Sequence, residues 1–383
     1  MPLIDVSTDR STRLLLWLIG LSLQSVTVLW LLDLPAIKDY PERVFASGIL
    51  ALGGIALSAN YAFKSCDCTF SPSAIFFSLT TWSALVDLLI SASLIGMTTL
   101  GKFYVETGEE YFKSSWGVAV LAYDGCVHYF LQLYLAHATL LDRPRLLVGL
   151  FWSGSILNSM PVVLLGGATG MHSDTLKPST LLNAPYVLAP ILYLSAILPS
   201  THRQPLQRPA GGSKEAGGAK EVTVRAWRSA SSVDHLLVLF HIAALCLHCF
   251  RAAVVLGSKS PAALGYGAGV EPALLASTAD SFGFLRVQLL EYFFYYVPFH
   301  AWAIACAYLP PTESHTAWAT VVAGGYMQAQ ATYVGSAAFQ WVDFEPLARL
   351  STPTTFWLVA IGFACLPAAY AARCWQQIRA VSA

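Results

Sequence analysis

Charge is what this sequence has least of. Only 11% of its 383 residues are Asp, Glu, Lys or Arg, and 56% are hydrophobic, whereas a soluble globular chain is about one quarter charged. That scarcity excludes an ordinary water-soluble fold and makes the bilayer the natural solvent. Neither sign is in surplus: Lys+Arg and Asp+Glu are 22 each, so the formal net charge is zero, which sets aside nucleic acid and polyanions as partners. A disulfide framework is missing too. Cys66 and Cys68 stand one residue apart, while Cys126, Cys246, Cys249, Cys306, Cys365 and Cys374 fall in or beside apolar runs and read as buried structural thiols. Cys246-Leu247-His248-Cys249 has the look of a metal or redox CxxC but no second ligand pair, so neither metal nor cofactor is expected. Asn-x-Ser/Thr sequons and a C-terminal retention tetrapeptide are also absent.

What is present is a series of long apolar runs. Stretches of about 18 or more apolar residues read as spanning helices, and ten occur: 14–32, 44–63, 72–97, 116–139, 146–166, 181–198, 233–256, 283–309, 317–340 and 354–377. The first follows Arg10 and Arg13 like a signal segment, but its run is too long for a signal and no small-residue cleavage site follows. The expected fold is therefore an all-α polytopic membrane protein. Residues 199–232, rich in Pro, Gly and charge, read as an exposed linker. The expected organisation is an N-terminal two-helix segment over 1–59, a four-helix domain over 60–198, the linker, a second four-helix domain over 233–377 and a tail over 378–383. Arg10, Arg13, Lys64, Arg143, Arg145, the linker cations, Arg373 and Arg379 collect on one side of such an arrangement, so both termini and the linker are expected in the cytoplasm. Each block carries a short acidic loop after its first helix, at Gly108-Glu109-Glu110-Tyr111 and at Gly269-Val270-Glu271-Pro272, which suggests a duplicated unit.

Polar groups inside such spans are costly and mark either bundle contacts or function. Asp87 sits within the third span with no basic neighbour in its own helix. Asp124 and His128 are four apart and share one face of the fourth span with Tyr134 and His137. Glu106, Glu109 and Glu110 crowd three like charges into the preceding loop. Later spans carry Gln288 and Glu291, then Gln328 and Gln330 among small residues, and Arg251 is expected to pair with Glu271 or Glu291 across the bundle. These second-domain groups have a structural reading as well as a functional one. The sequence also holds 17 Tyr, 20 Phe and 11 Trp. Ring faces stabilise cations, so a ring-lined cavity with a neutral carboxyl could form a carbocation from an alkene or epoxide. Packing and interface anchoring are the plainer roles.

Phe103-Tyr104 with Gly108-Glu109-Glu110-Tyr111, followed by Tyr123-Asp124-Gly125-Cys126-Val127-His128-Tyr129, resembles the acidic-Tyr loop and Trp-Asp-Gly-x-x-His-Tyr segment of the transmembrane 6 superfamily, with Tyr123 in place of the Trp. Ala84-Leu85-Val86-Asp87-Leu88, Gln288-Leu289-Leu290 and the Gly324-to-Gly335 stretch are similar too. The resemblance runs from the second span to the tenth and implies ten spans with two EXPERA domains. The EXPERA fold is also that of the emopamil-binding sterol isomerase. Against its pattern the first carboxylate falls on Asp87, the loop Glu on Glu110, the Asn on Asn183 and the Trp on Tyr186. Its His falls on Ser83 and its loop Trp on Gly108, which departs from the isomerase mechanism.

Three functions follow as expectations, of which a transporter fits the repeat but is disfavoured because no helix is broken by paired Gly and Pro near mid-membrane. The leading one is a cyclase or isomerase of a prenylated (meroterpenoid) or sterol-like lipid, similar to some fungal membrane-bound meroterpenoid cyclases. Asp87 or Glu110 would donate the proton, Asp124 with His128 would remove one, and Trp82, Tyr111, Tyr123, Asn183 and Tyr186 would line the substrate. The alternative, implied by the superfamily, is a non-catalytic protein of the endoplasmic reticulum that binds sterols or neutral lipids.

Overall fold

In a computed structural model, residues 6–170, 173–201, 231–271, 283–309, 311–338 and 354–382 are described, and they contain helices and no strand. The expected linker lies almost wholly outside them. Ten long helices form: α1 (Val6–Leu32), α2 (Pro41–Ser65), α3 (Pro72–Leu94), α4 (Ser115–Leu140), α5 (Leu146–Thr169), α6 (Ala184–Thr201), α7 (Ser232–Val255), α8 (283–306), α9 (Glu313–Ala338) and α10 (Thr354–Ser382). Eight described helices are long and apolar enough to cross a membrane. The chain is thus a polytopic all-α membrane protein. α8 and α9 stand where the eighth and ninth spans were expected but fall outside that set, because Arg286, Glu291, Gln328 and Gln330 interrupt their apolar sequence.

Local chemistry sets the helix ends. Pro41 and Pro72 begin α2 and α3, where a missing N–H costs nothing. Ser71 and Ser114 cap α3 and α4 by accepting from Ala74 and Gly117 N–H. Ser231 and Asp234 form a reciprocal capping box on α7. The described chain divides into two compact units. The first comprises described parts of Met1–Trp152, Gly167–Leu188 and Ala331–Arg349, and the second those of Ser153–Gly166, Ala189–Gln330 and Leu350–Ala383.

The first helix of each four-helix block ends alike. α3 closes on Gly96 at φ +78°, with Met97 N–H on Ala92 C=O at 2.9 Å, and α7 closes on Gly257 at φ +88°, with Ser258 N–H on Ala253 C=O at 2.9 Å. This six-to-one bond around a left-handed residue strongly favours glycine. A short helix follows in both, Lys102–Thr107 and Pro261–Gly269. Each then turns so that a glutamate N–H, Glu109 or Glu271, bonds to the carbonyl of the tyrosine five residues earlier, Tyr104 or Tyr266. The next long helix carries one π-helical turn, Asp124–His128 in α4 and Tyr292–Tyr296 in α8. Such turns are uncommon and gather at functional sites. In α4 the turn coincides with Gly125, where a Cβ would lie 2.3 Å from Leu88 Cβ, so α3 and α4 touch backbone to backbone. In α8, Pro298 supplies no N–H to the turn above it.

Thiol burial differs from the expectation. Cys66, Cys68 and Cys374 are buried, but Cys126, Cys246 and Cys365 face outward, and all eight are free. In an apolar span a small thiol is tolerated on the lipid side, so its position in a run does not fix its direction.

Candidate functional site

The first unit gathers polar side chains from α3, α4, α6 and the loop before α4. At its centre is the Glu109 carboxylate, 3% exposed. Tyr104 donates to its Oε2 at 2.8 Å, Asn183 Nδ2 to its Oε1 at 2.7 Å, and the Tyr111 hydroxyl to the same Oε1. Asn183 Nδ2 also lies 3.4 Å from the Tyr111 oxygen. Burial pushes the Glu109 carboxyl up to about 7, although all three donors favour its charged form. Burial and then the Glu109 charge hold both tyrosine hydroxyls well above their usual range.

Glu109 escaped the sequence reading, which selected Glu110. Glu110 opens the 3-10 turn Glu110–Phe112 half-buried and makes none of these bonds. The turn explains the difference: the short helix ends at Gly108, and the next side chain is directed inward. Glu106 lies outside the cluster, 3.8 Å from Lys102. The repeated Tyr-x4-Glu spacing at 104–109 and 266–271 was the signal that distinguishes Glu109 from its neighbours.

Asp124 and His128 meet within the π turn, with Oδ1 and Nδ1 2.6 Å apart, and the Tyr123 ring stands edge-on to His128 at 5.0 Å. Asp87, half-buried on α3, lies within electrostatic reach of Asp124 and Glu109. Its carboxyl has no hydrogen-bond partner among the described residues. Trp82, on the same helix, is buried, and its indole N–H has no hydrogen-bond partner among the described residues. Ser83 and Tyr186 bond through their hydroxyls. Asp87, Asp124, His128, Tyr111, Asn183 and Tyr186 thus belong to one unit, with Glu109 in the place given to Glu110. Tyr134 and His137, on the same stripe by sequence, bond instead to Pro144 C=O and to Ser11.

The second-unit candidates also find partners. Arg251 grips Glu271 with two nitrogens, Nε on Oε2 at 2.8 Å and a terminal nitrogen on Oε1, both residues being 1% exposed. Gln288 Nε2 donates to Glu291 at 3.2 Å, Gln330 donates to the Tyr292 hydroxyl, and Asn158 donates to Gln328 while accepting from Tyr296 at 2.6 Å. No group of three or more His, Cys, Asp or Glu able to hold a metal occurs among the described residues.

Comparison with known proteins gives a consistent picture. Residues 24–208 match the family described as Transmembrane 6 superfamily member 2-like, transmembrane domain. The chain is similar to Transmembrane 6 superfamily member 2 of Homo sapiens, 28% identical over 93% of this chain and 92% of the relative. The similarity to the same-named protein of Mus musculus is 29% over 94% and 92%, and to that of Rattus norvegicus 28% over 94% and 92%. No solved structure matches.

Proposed function

From the match of residues 24–208 to the transmembrane 6 superfamily member 2-like domain and the similarity to its members over most of the chain, we propose that this chain is a member of that superfamily and a membrane lipid-binding protein whose first unit holds the polar end of a sterol-like or other neutral isoprenoid lipid. The observation that carries the reading is Asp87, a half-buried carboxyl in an apolar helix with no hydrogen-bond partner among the described residues. A carboxyl so placed gains most from a ligand that brings a hydroxyl, since an unmet polar group away from water costs about 1–3 kcal/mol. The Trp82 indole N–H on the same helix is a second buried polar group with no hydrogen-bond partner among the described residues.

A second reading, proton-transfer chemistry on the same lipid, is favoured by the Asp124–His128 pair at 2.6 Å. Asp87 would protonate an alkene or epoxide, the rings of Trp82, Tyr111, Tyr123 and Tyr186 would stabilise the cation, and His128 would take up the released proton. We rank it second because Glu109 is already held by three donors and Ser83 is tied to Tyr186. These two positions are bound up in the protein's own framework rather than presented to a substrate. The positive charges at Arg10, Arg13, Lys64, Arg143 and Arg145 favour cytoplasmic termini, and we assign the protein to the endoplasmic reticulum.

The test is binding of radiolabelled cholesterol and of a prenylated epoxide by the purified full chain, followed by mass spectrometry of the recovered lipid. Lipid returned unchanged, with affinity reduced about tenfold or more by Asp87→Asn and not by Glu110→Gln, is expected. Conversion to an isomer or cyclised product would transfer the conclusion to the second reading, and unaltered binding in Asp87→Asn would refute both.

A further inference from the structure

The second unit contains a connected row of imidazole and phenol groups that the lipid site does not use. His241 Nδ1 lies 2.8 Å from His300 Nδ1, His300 Nε2 bonds to the Tyr326 hydroxyl, and that hydroxyl lies 2.6 Å from His248 Nε2. All three histidines are at most 1% exposed, and Tyr326 is fully buried. The outermost nitrogens, His241 Nε2 and His248 Nδ1, are buried with no hydrogen-bond partner among the described residues.

Those two ends follow from the connectivity. Each internal bond uses one hydrogen, so a row of neutral groups has two polarities of equal bond count. In one, His241 carries its hydrogen on Nδ1 and His248 on Nδ1; in the other, both carry it on Nε2. Either way one end is a bare acceptor and the other a free donor. This is the arrangement a hopping proton requires, and intramembrane histidine chains are a recurrent form of proton relay.

The row also points toward both ends of the helix bundle. Asp234, His241, His248 and Arg251 follow one another along α7, and from the first to the last the helix rises about 25 Å at 1.5 Å per residue, against a hydrocarbon core of about 30 Å. At the Asp234 end is a pocket of about 180 Å³, lined among others by Asp234, Arg373, His315 and Tyr370. It is large enough for water. Arg373 is paired with Asp234 there at 2.7 Å, and Tyr370, bonded to His315 Nε2, sets its ring 4.3 Å from that of His241. At the other end the Tyr292 ring stacks on His248 at 4.9 Å, and the Arg251 guanidinium lies 5.7 Å from that ring and holds Glu271.

We propose that the second unit conducts protons across the membrane along His241, His300, Tyr326 and His248, with gates at its two ring contacts. A proton from pocket water arrives at His241 Nε2, and the Nδ1 proton passes to His300 Nδ1. The His300 Nε2 proton passes to the Tyr326 oxygen while the Tyr326 proton passes to His248 Nε2. The His248 Nδ1 proton then leaves toward the Arg251–Glu271 end. One proton enters and one leaves, and the row is left in its opposite polarity, which ring rotation resets. The face of Tyr292 stacked on His248 favours the transient cation, and the Phe240 and Phe363 rings pack around the same imidazoles. At each ring contact a water or a side-chain turn completes the path.

The experiment places the purified full chain in phosphatidylcholine vesicles that contain a pH-sensitive dye, with a potassium gradient and valinomycin to drive proton entry. The dye is expected to respond at least tenfold faster than in protein-free vesicles. Tyr326→Phe, which keeps the ring, and His300→Gln, which can hydrogen-bond but cannot pass a proton, should both return the rate to the protein-free value. A wild-type rate no greater than that of protein-free vesicles, or undiminished flux in either variant, overturns the proposal.

Discussion

Glu109 gives the sharpest test of the first unit, because its burial and its bonding act in opposite directions. Its carboxyl stands at about 7 in the fold against an ordinary value of 4.5. The folded state therefore binds this proton more tightly than the unfolded chain does. The associated stability is complete below pH 4.5 and is lost as pH rises through about 7. At 1.36 kcal/mol per pH unit, the gap amounts to about 3 kcal/mol, spent almost entirely between pH 4.5 and 7. Glu109→Gln keeps the side-chain shape and removes the titration. The charge-assisted bonds from Tyr104 and Tyr111 exist only where the wild-type carboxyl is ionised, so their contribution is already part of its pH dependence, while the Gln side chain makes neutral bonds at every pH. The informative quantity is thus the difference between the two proteins as a function of pH. Thermal denaturation in detergent should show the wild type losing about 3 kcal/mol relative to Glu109→Gln from pH 4.5 to 8. For a unit of this size, that is a relative fall of about 6–12 °C in Tm. Parallel Tm curves across that range would refute the assignment of Glu109 as a buried, titrating carboxyl.

Two further outcomes follow from packing and pairing. Gly125→Ala must push α3 from α4, because its methyl would sit 2.3 Å from Leu88 Cβ; a loss of about 1–3 kcal/mol and reduced lipid binding are expected, with denaturation midpoint and binding affinity as the measurements. Glu271→Ala takes from the buried Arg251 the carboxylate it holds with two nitrogens and should destabilise the second unit by about 3–5 kcal/mol, whereas replacing the pair together by Arg251→Met and Glu271→Leu should restore most of that loss.

Much of the architecture was legible in the sequence because lipid imposes a coarse rule. A span needs about 20 residues with few charges, and each of the ten apolar runs has a helix at its position. Partnering was legible in outline, as with Arg251, whose missing neighbour implied an acidic residue across the bundle and which pairs with Glu271 rather than Glu291. The sequence could not separate Glu109 from Glu110. They are adjacent and chemically alike, and only the chain reversal at Gly108 turns one inward toward Tyr104, Tyr111 and Asn183. Nor did spacing identify Asp124 and His128 as members of a π turn, since that depends on the approach of α3 to Gly125.

The histidines of the second unit make the same division. In sequence, His241 and His248 are polar residues within one apolar run and His300 lies in another, and His248 even passes for part of a CxxC. By itself the sequence determined that this protein lives in a bilayer, how many helices it can form and which residues are too polar to face lipid, because those depend on composition and length. Tertiary structure decided which polar groups meet. A buried hydrogen bond acts over less than about 3.5 Å, and only the packing of helices far apart in the chain brings donor and acceptor that close.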